Sequence, residues 1–429
     1  METISEQAAI LRRRWETDPR WAGIERTYSA ADVIRLRGAV VEEQTLARLG
    51  ASRLRDLLHG QDAVRALDPG SGSDAVRMVR EGLQALYLPG WQTAGDLAAH
   101  AYPDHALHPA DPAPAMVRRI NKALLRAGQI AWSEQGEEAS AQKLLAPVVA
   151  DAEAGSDGVL NAFELMTAMI EAGAAGVCFE DRLPEGKKGG HLDGKVLIPT
   201  GQHVKTLNAA RLAADVLDVP ALIIARTAAT TATLLSSDVD ERDHEFLTGR
   251  RTAEGFHQVR PSLYAAVTRG LAFAPYADLL WLEASAPDLA EARAFAQIIH
   301  SQYPDKMLAY SCSPSCDWSA HAGAADIAQF GKELAAMGYR FQLTAPAGSP
   351  GTRPDRTAYV PWQDAEFTGE PHGYHAARYH RAAGTRYSDL VTRVLAREAE
   401  TAALAASLEA EYFVGHDQLD HHGRLVPAD

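Results

Sequence analysis

Acidic side chains recur where apolar runs end in this chain: Asp151 and Glu153 in DAEAG, Glu180 and Asp181 in CFED, and Glu283 in LWLEAS. One carboxylate at the tip of a buried strand is ordinary. Several converging on one mouth would repel unless a cation sat among them. A donor set made only of oxygen suits Mg²⁺, with Mn²⁺ as a substitute. Acids scattered over a surface would read the same way in the sequence. The histidines show no zinc spacing, and His421 and His422 lie in the tail, which argues against a transition-metal site. Positive partners are also visible. Arg226 closes the run ALIIAR, where a guanidinium can grip a carboxylate through its two-pronged geometry. Lys187, Lys188 and His191 stand in a Gly-rich loop soon after the CFED acids, as a small anionic substrate requires of an acidic protein. Ser311, Ser313 and Ser315 in SCSPS offer hydroxyls and amides to a second carboxylate, although a Pro-containing turn explains the same letters. Trp91, after Pro89 and Gly90, fits a core position or a pocket wall.

Such residues act together only if a scaffold gathers strand ends at one place. Apolar runs occupy Ala85–Leu88, Leu145–Val149, Gly176–Phe179, Ala221–Ile224, Leu279–Leu282, Met307–Tyr310 and Arg340–Leu343. Each ends in polar or small residues. Between them lie stretches with helical spacing, among them Asn161–Glu171, Thr206–Val216, Asp288–His300 and Ala325–Met337. Repeated strand–helix units with polar matter after each strand predict an α/β fold with a parallel sheet, most simply a (β/α)8 TIM-type barrel carrying helical additions at both ends. A doubly wound sheet is the alternative, but no Gly-rich phosphate fingerprint follows any strand. The organisation expected is a helical segment over 1–65, a barrel over 66–346 that includes a loop at 181–200, and a loop with C-terminal helices and a polar tail over 347–429. The helices of the first segment start at a cap signal in Thr27–Asp32.

Composition narrows the function classes. The chain has 429 residues, 46% of them hydrophobic and 23% charged, and can bury a large core. Its formal charge of −14 argues against nucleic acid as a partner. No apolar run approaches the ~20 residues that cross a bilayer, so no membrane partner is expected. Three cysteines (Cys178, Cys312 and Cys316) make no disulfide framework and favour a reducing cytoplasm.

Taken together, DAEAG, GVLNAFELMTAMIEAGAAGV, FED, KK-x-GH, KVLIPT, LNAARLAADV, ARTA, DERD, GRRTAEGF, APYADLLWLE, SPS and FQLTAPAG resemble isocitrate lyase, from about Arg12 to Glu398. The resemblance implies Mg²⁺-dependent cleavage of a 2-hydroxy tricarboxylate to glyoxylate and succinate by a homotetramer. It places the metal-bound aspartate at Asp151 and the acids around the metal's waters at Asp104, Glu153 and Glu180. A glyoxylate clamp falls on Gly90, Trp91 and Arg226, and a tyrosine acting as base or relay on Tyr87. The loop at 181–200 becomes a lid carrying Lys187, Lys188, Gly190 and His191. Glu283, Ser313 and Ser315 fall on the succinate side, with Ser311 where the family has asparagine. The catalytic set so implied is Tyr87, Lys187, Lys188, His191 and Glu283.

Departures from the family pattern gather where chemistry happens. The family lid reads KKCGH, and its cysteine moves the proton at the succinate carbanion; here that position is Gly189, whose missing side chain can neither give nor take one. A threonine is replaced by Ala345, the serine of SGW by Pro89, the aspartate of ARTD by Ala228, and the histidine of HFED by Cys178. The segment near 349–360 is shorter. The glyoxylate half is therefore kept and the carbanion half rebuilt. Expected from this is a C–C lyase with altered substrate or weak isocitrate activity. The alternatives are a non-catalytic paralogue that binds dicarboxylates and a hydrolase acting on an oxaloacetate-like substrate.

Overall fold

A computed structural model describes residues 3–60, 63–90, 112–136, 145–152, 158–183, 195–252, 254–284, 286–312, 324–343, 418–419 and 425–426. Three helices come first: α1 (Ile4–Thr17), α2 (Ala30–Arg37) and α3 (Thr45–Gly60). The expected cap signal is used as such. Ser29 accepts from the Asp32 amide while Asp32 accepts from the Ser29 amide, a reciprocal pair that satisfies donors left over at the start of α2. Then follow β1 (Val64–Leu67), α4 (Gly72–Arg80), β2 (Ala85–Leu88), α5 (Pro112–Gln135), β3 (Val148–Asp151), α6 (Val159–Glu171) and β4 (Gly176–Glu180). After these come β5 (Val196–Leu197), α7 (Thr200–Val216), β6 (Leu222–Thr227), β7 (Leu234–Leu235), β8 (Leu247–Arg251) and β9 (His257–Val259). The remaining elements are α8 (Leu263–Phe273), β10 (Leu279–Ala284), α9 (Leu289–Gln302), β11 (Met307–Cys312), α10 (Ala324–Ala336) and β12 (Tyr339–Leu343), with a short antiparallel ribbon of β13 (Gln418–Leu419) and β14 (Leu425–Val426).

Eight strands close a parallel barrel in the order β1-β12-β11-β10-β6-β4-β3-β2. All seven runs read from the sequence become barrel strands. The second, Leu145–Val149, sits further along than expected, as β3, because Pro147 has no N–H for the ladder, although its carbonyl accepts from the Leu86 amide. The eighth strand, VRAL at 64–67, was not among those runs; four residues with Arg65 inside them carry no continuous apolar signal. A second sheet of four strands, β5-β7-β9-β8, lies beside the segment that leaves β4.

Strand alternation sorts the side chains into two cores. Val177, Phe179, Ile223, Ala225, Leu280 and Leu282 belong to the outer core with the helices. Cys178, Ile224, Leu279, Trp281, Ala309 and Phe341 belong to the barrel interior, together with Ala51, Leu54 and Leu58 of α3. Helix α3 therefore plugs the N-terminal end of the barrel with three fully buried side chains. Gly176 lets β4 approach β6 closely at that end, since a Cβ there would sit a tight 3.2 Å from both the Leu222 Cβ and its carbonyl oxygen.

Buried ion pairs bind the segment between α1 and α2 to the barrel. Asp278 receives Arg20 at 2.5 Å and Arg211 at 2.6 Å. Burial alone would raise the Asp278 carboxyl, but these two guanidiniums outweigh it and hold it well below the usual carboxylate range. Arg26 reaches Asp215 at 2.7 Å and stacks over Trp15 and Trp21. No described helix is long and apolar enough to cross a membrane.

Removing the plug tests this reading of α3. Leu54 is fully buried, so Leu54→Ala should lower unfolding free energy by ~2–5 kcal/mol in urea denaturation. Leu49, on the same helix but 54% exposed, is the control, and Leu49→Ala should cost under ~0.5 kcal/mol. Equal effects would mean that α3 does not fill the barrel.

Candidate active site

The C-terminal ends of the barrel strands carry a polar cluster on top of the apolar interior. Its members occupy inward positions of neighbouring strands: Tyr87 on β2, Asp151 on β3, Glu180 on β4, Arg226 on β6, Trp281 and Glu283 on β10, and Ser311 on β11. Period-two alternation decides which acid of CFED enters the site. Glu180 points inward with Cys178, whereas Asp181 is turned to the wall, where it accepts from Thr227 Oγ1 at 2.7 Å, the Ala228 amide at 2.9 Å and Arg269 at 2.9 Å. Arg269 also donates to Asp243 at 2.9 Å, and Asp243 caps the start of α7 through the amide and hydroxyl of Thr200. Asp181 thus fixes the walls on either side of the site and stays out of it.

Arg226 is the centre of the cluster. One nitrogen, Nη2, donates to Glu180 Oε2 at 2.7 Å and to Asp151 Oδ2 at 3.2 Å. Its other terminal nitrogen lies 3.5 Å from the Tyr87 hydroxyl, which donates to Asp151 Oδ2 at 2.7 Å. The Trp281 ring lies beneath the guanidinium at 5.0 Å and meets Tyr87 edge-on at 5.3 Å. Trp281 Nε1 in turn donates to Ser311 Oγ at 2.9 Å. Arg182 curls back onto Glu180, with Nη2 2.9 Å from Oε2 and Nε 2.6 Å from Oε1. These groups are nearly closed to solvent: Asp151 and Glu180 are 3% exposed and Arg226 7%.

Electrostatics follow from that burial. Burial would lower the Arg226 guanidinium, but Asp151 and Glu180 overcome it and fix the positive charge. The Tyr87 hydroxyl is pushed well above the usual phenol range, chiefly by burial and then by Asp151. Tyr87 is therefore a proton donor in the resting site. Cys178 is also pushed well up, and burial, more than the neighbouring acids, is the main cause. A buried thiol hydrogen-bonded to Asp151 is a poor stand-in for a lid cysteine. Lys195 is 3% exposed, donates to Thr231 Oγ1 at 2.9 Å, and is pushed down to about 8 by burial against the support of Glu283.

The structure brings together Tyr87, Asp151, Glu180, Arg226 and Ser311 of the residues read from the sequence, with Glu283 two positions beyond Trp281 on the same face of β10. Gly90 is buried just after β2. Trp91, Asp104, Glu153, Lys187, Lys188, Gly190, His191, Ser313 and Ser315 lie outside the described residues, as do Gly189 and Ala345. Among the described residues no group of three or more His, Cys, Asp or Glu is arranged around a common metal position. Sequence reading missed Trp281, Arg182 and Lys195. Trp281 was legible in principle, since it stands two residues before Glu283 and must share its face. Nothing local says that Arg182 folds back onto Glu180, or that the lysine of KVLIPT is buried.

A parallel eight-stranded barrel with a polar cluster at its C-terminal mouth has the arrangement of a TIM-barrel enzyme. The isocitrate lyase family model matches residues 7–252 and 249–353, and the chain belongs to that family of lyases. It is 49% identical over 422 residues to isocitrate lyase 1 of Mycobacterium tuberculosis (strain ATCC 35801 / TMC 107 / Erdman), covering 95% of this chain and 98% of that protein. It is 48% identical to the isocitrate lyase of Halalkalibacterium halodurans, over 96% of this chain and all of that one. Isocitrate lyase of Escherichia coli (strain K12) is 47% identical, again over 96% of this chain and 100% of its own length. A solved structure of oxaloacetate acetylhydrolase with 3,3-difluorooxalacetate aligns at a TM-score of 0.48 and 19% identity, over 82% of this chain and 98% of that one.

If Arg226 is the shared counter-charge of Asp151 and Glu180, removing it leaves both carboxylates buried with less compensation. Arg226→Met should then cost ~3–5 kcal/mol of stability at pH 7 by chemical denaturation. Wild-type stability in that variant would show that the pairing is dispensable.

Proposed function

We propose that this protein is a Mg²⁺-dependent carbon–carbon lyase that splits an isocitrate-like 2-hydroxy di- or tricarboxylate into a 2-oxo acid such as glyoxylate and a dicarboxylate. The observation that carries the reading is the convergence of Asp151 and Glu180 on one point, now filled by a single guanidinium nitrogen 3.2 and 2.7 Å from their oxygens. Two oxygen-only donors that share one positive centre fit a hard divalent cation. Asp151 and Glu180 would hold it, with Asp104 and Glu153 as the further acids that the family resemblance implies. Bound there, the cation would polarise the oxygens of the 2-oxo-acid half and stabilise the glyoxylate as it forms.

The chain's own residues supply the rest. Arg226, whose charge is fixed by its neighbours, grips a carboxylate of the 2-oxo-acid half together with Gly90 and Trp91. Cleavage requires the substrate hydroxyl to lose its proton. Tyr87, protonated in the resting site and donating to Asp151 at 2.7 Å, is placed to relay that proton away from the substrate to water at Oη, so a relay is favoured over a free phenolate base. The dicarboxylate half meets Glu283, Ser311, Ser313 and Ser315, with Lys187, Lys188, Gly190 and His191 brought by the lid. Protonation of the carbanion is the weak step, because Gly189 has no side chain and the Cys178 thiol is held by burial and Asp151. His191, Tyr87 or water is left to perform it. Assembly as a homotetramer in the cytoplasm completes the proposal, with neither nucleic acid nor membrane as a partner.

Incubating the purified protein with Mg²⁺ and isocitrate, 2-methylisocitrate or a 2-alkylmalate, and trapping 2-oxo acids as hydrazones, tests it. Glyoxylate should appear slowly from isocitrate, and Gly189→Cys should accelerate it ~10²–10⁴-fold. Absence of product from every substrate in both proteins, with no Mg²⁺-dependent binding of a dicarboxylate, would overturn the lyase reading.

A further inference from the structure

Lys195 stands where the segment from β4 re-enters described structure, and its backbone surroundings are tightly fixed. Leu183 donates to the Val196 carbonyl at 2.9 Å, Ile198 donates to the Asp181 carbonyl at 2.9 Å, and β5 pairs with β7 through Val196 and Leu234. The side chain is therefore held in place, unlike a surface lysine free to swing. It is 3% exposed, and its described hydrogen bond, 2.9 Å to Thr231 Oγ1, uses one of three ammonium N–H groups. Glu283, on β10, is the charge that most favours the ammonium. The two do not form an ion pair within 4.0 Å, and Glu283 Oε2 is buried without a hydrogen-bond partner among the described residues. A buried ammonium with spare donors thus faces the partly exposed Glu283, whose Oε2 is buried, across a space wider than an ion pair. Leaving the ammonium's spare donors unsatisfied is costly, which makes the space beside Lys195 suited to a ligand group rich in acceptors.

We propose that Lys195 is a substrate-binding residue that holds a carboxylate of the substrate's dicarboxylate half on the Glu283 side of the barrel mouth. The inference rests on the lyase reading above and adds to it a cation for the half of the site that has lost the lid thiol. It also gives that half a pH dependence. The charged groups that face Lys195 are Glu283 from β10, Glu180 from β4, Arg182 just beyond β4, and Arg226 from β6. Burial and the two arginines lower Lys195, the two carboxylates raise it, and the balance lies at about 8. Only the protonated lysine attracts a carboxylate, so dicarboxylate affinity is full below that pH and declines above it.

The test is succinate binding to the Mg²⁺-supplemented full-length protein, by calorimetry at pH 7 and again one unit above the Lys195 midpoint, which needs no turnover. Wild type should bind at pH 7 and about tenfold more weakly at the higher pH. Lys195→Met should bind weakly at both and lose the pH dependence. Lys195→Arg should restore most of the pH 7 affinity and keep it in alkali. Far-UV circular dichroism and thermal melting establish that each variant is folded, and replacing a buried ammonium by an apolar chain of similar length opens no cavity. Undiminished binding by Lys195→Met, with the wild-type pH dependence, overturns this inference and leaves the lyase reading intact. Failure of the wild type to bind succinate at pH 7 overturns both.

Discussion

Charge compensation at the barrel mouth is the constraint on which the rest of the site depends. Two carboxylates a few ångströms apart repel by roughly 4 kcal/mol at the effective dielectric of a protein site. Asp151 and Glu180 are both 3% exposed, so water cannot absorb that repulsion. Arg226 answers it with one nitrogen shared between them, and Arg182 adds a second guanidinium on Glu180. Once the guanidinium is pinned, its flat underside becomes a surface, which Trp281 covers at 5.0 Å. The indole N–H then needs an acceptor and finds Ser311, so that one electrostatic requirement at β3 and β4 propagates to β11.

The barrel makes this affordable by separating its two ends. Below the cluster the interior is apolar and plugged by Leu54 and Leu58 of α3, while above it the strand tips turn polar. The segment between α1 and α2 is tied to the barrel by Arg26 at Asp215 and Arg20 at Asp278, and Arg211 also pairs with Asp278. Asp215 and Asp278 are each compensated by the arginines beside them, Arg26 for the first and Arg20 and Arg211 for the second.

Much of this was legible in the sequence because period and position carry it. Seven of the eight barrel strands are apolar runs ending in polar residues, and the inward acids and Arg226 sit at those ends. VRAL escaped notice since a strand of four residues with an arginine inside has no run to detect. Side-chain geometry was less legible. The sequence offers Glu180 and Asp181 as equals, and only the strand's alternation, once its start is known, sends one inward and the other to Arg269. Lys195 and Arg182 look like surface charges of a loop. Their burial comes from β5 pairing with β7 and from Arg182 turning back on Glu180, contacts that no local pattern encodes.

The same electrostatics explains why ligand binding here needs more than a shaped pocket. At the described mouth, Asp151, Glu180 and Glu283 oppose Arg182, Lys195 and Arg226, three negative charges against three positive. A balanced cluster gives a di- or tricarboxylate no net attraction, and the chain as a whole, at −14, repels it. Additional positive charge has to arrive with the substrate. A divalent cation shared by Asp151 and Glu180 would release Arg226 from its own carboxylates and turn its fork toward a foreign one. A site arranged this way is neutral when empty, and a cation added at Asp151 and Glu180 would make it attractive to an anion.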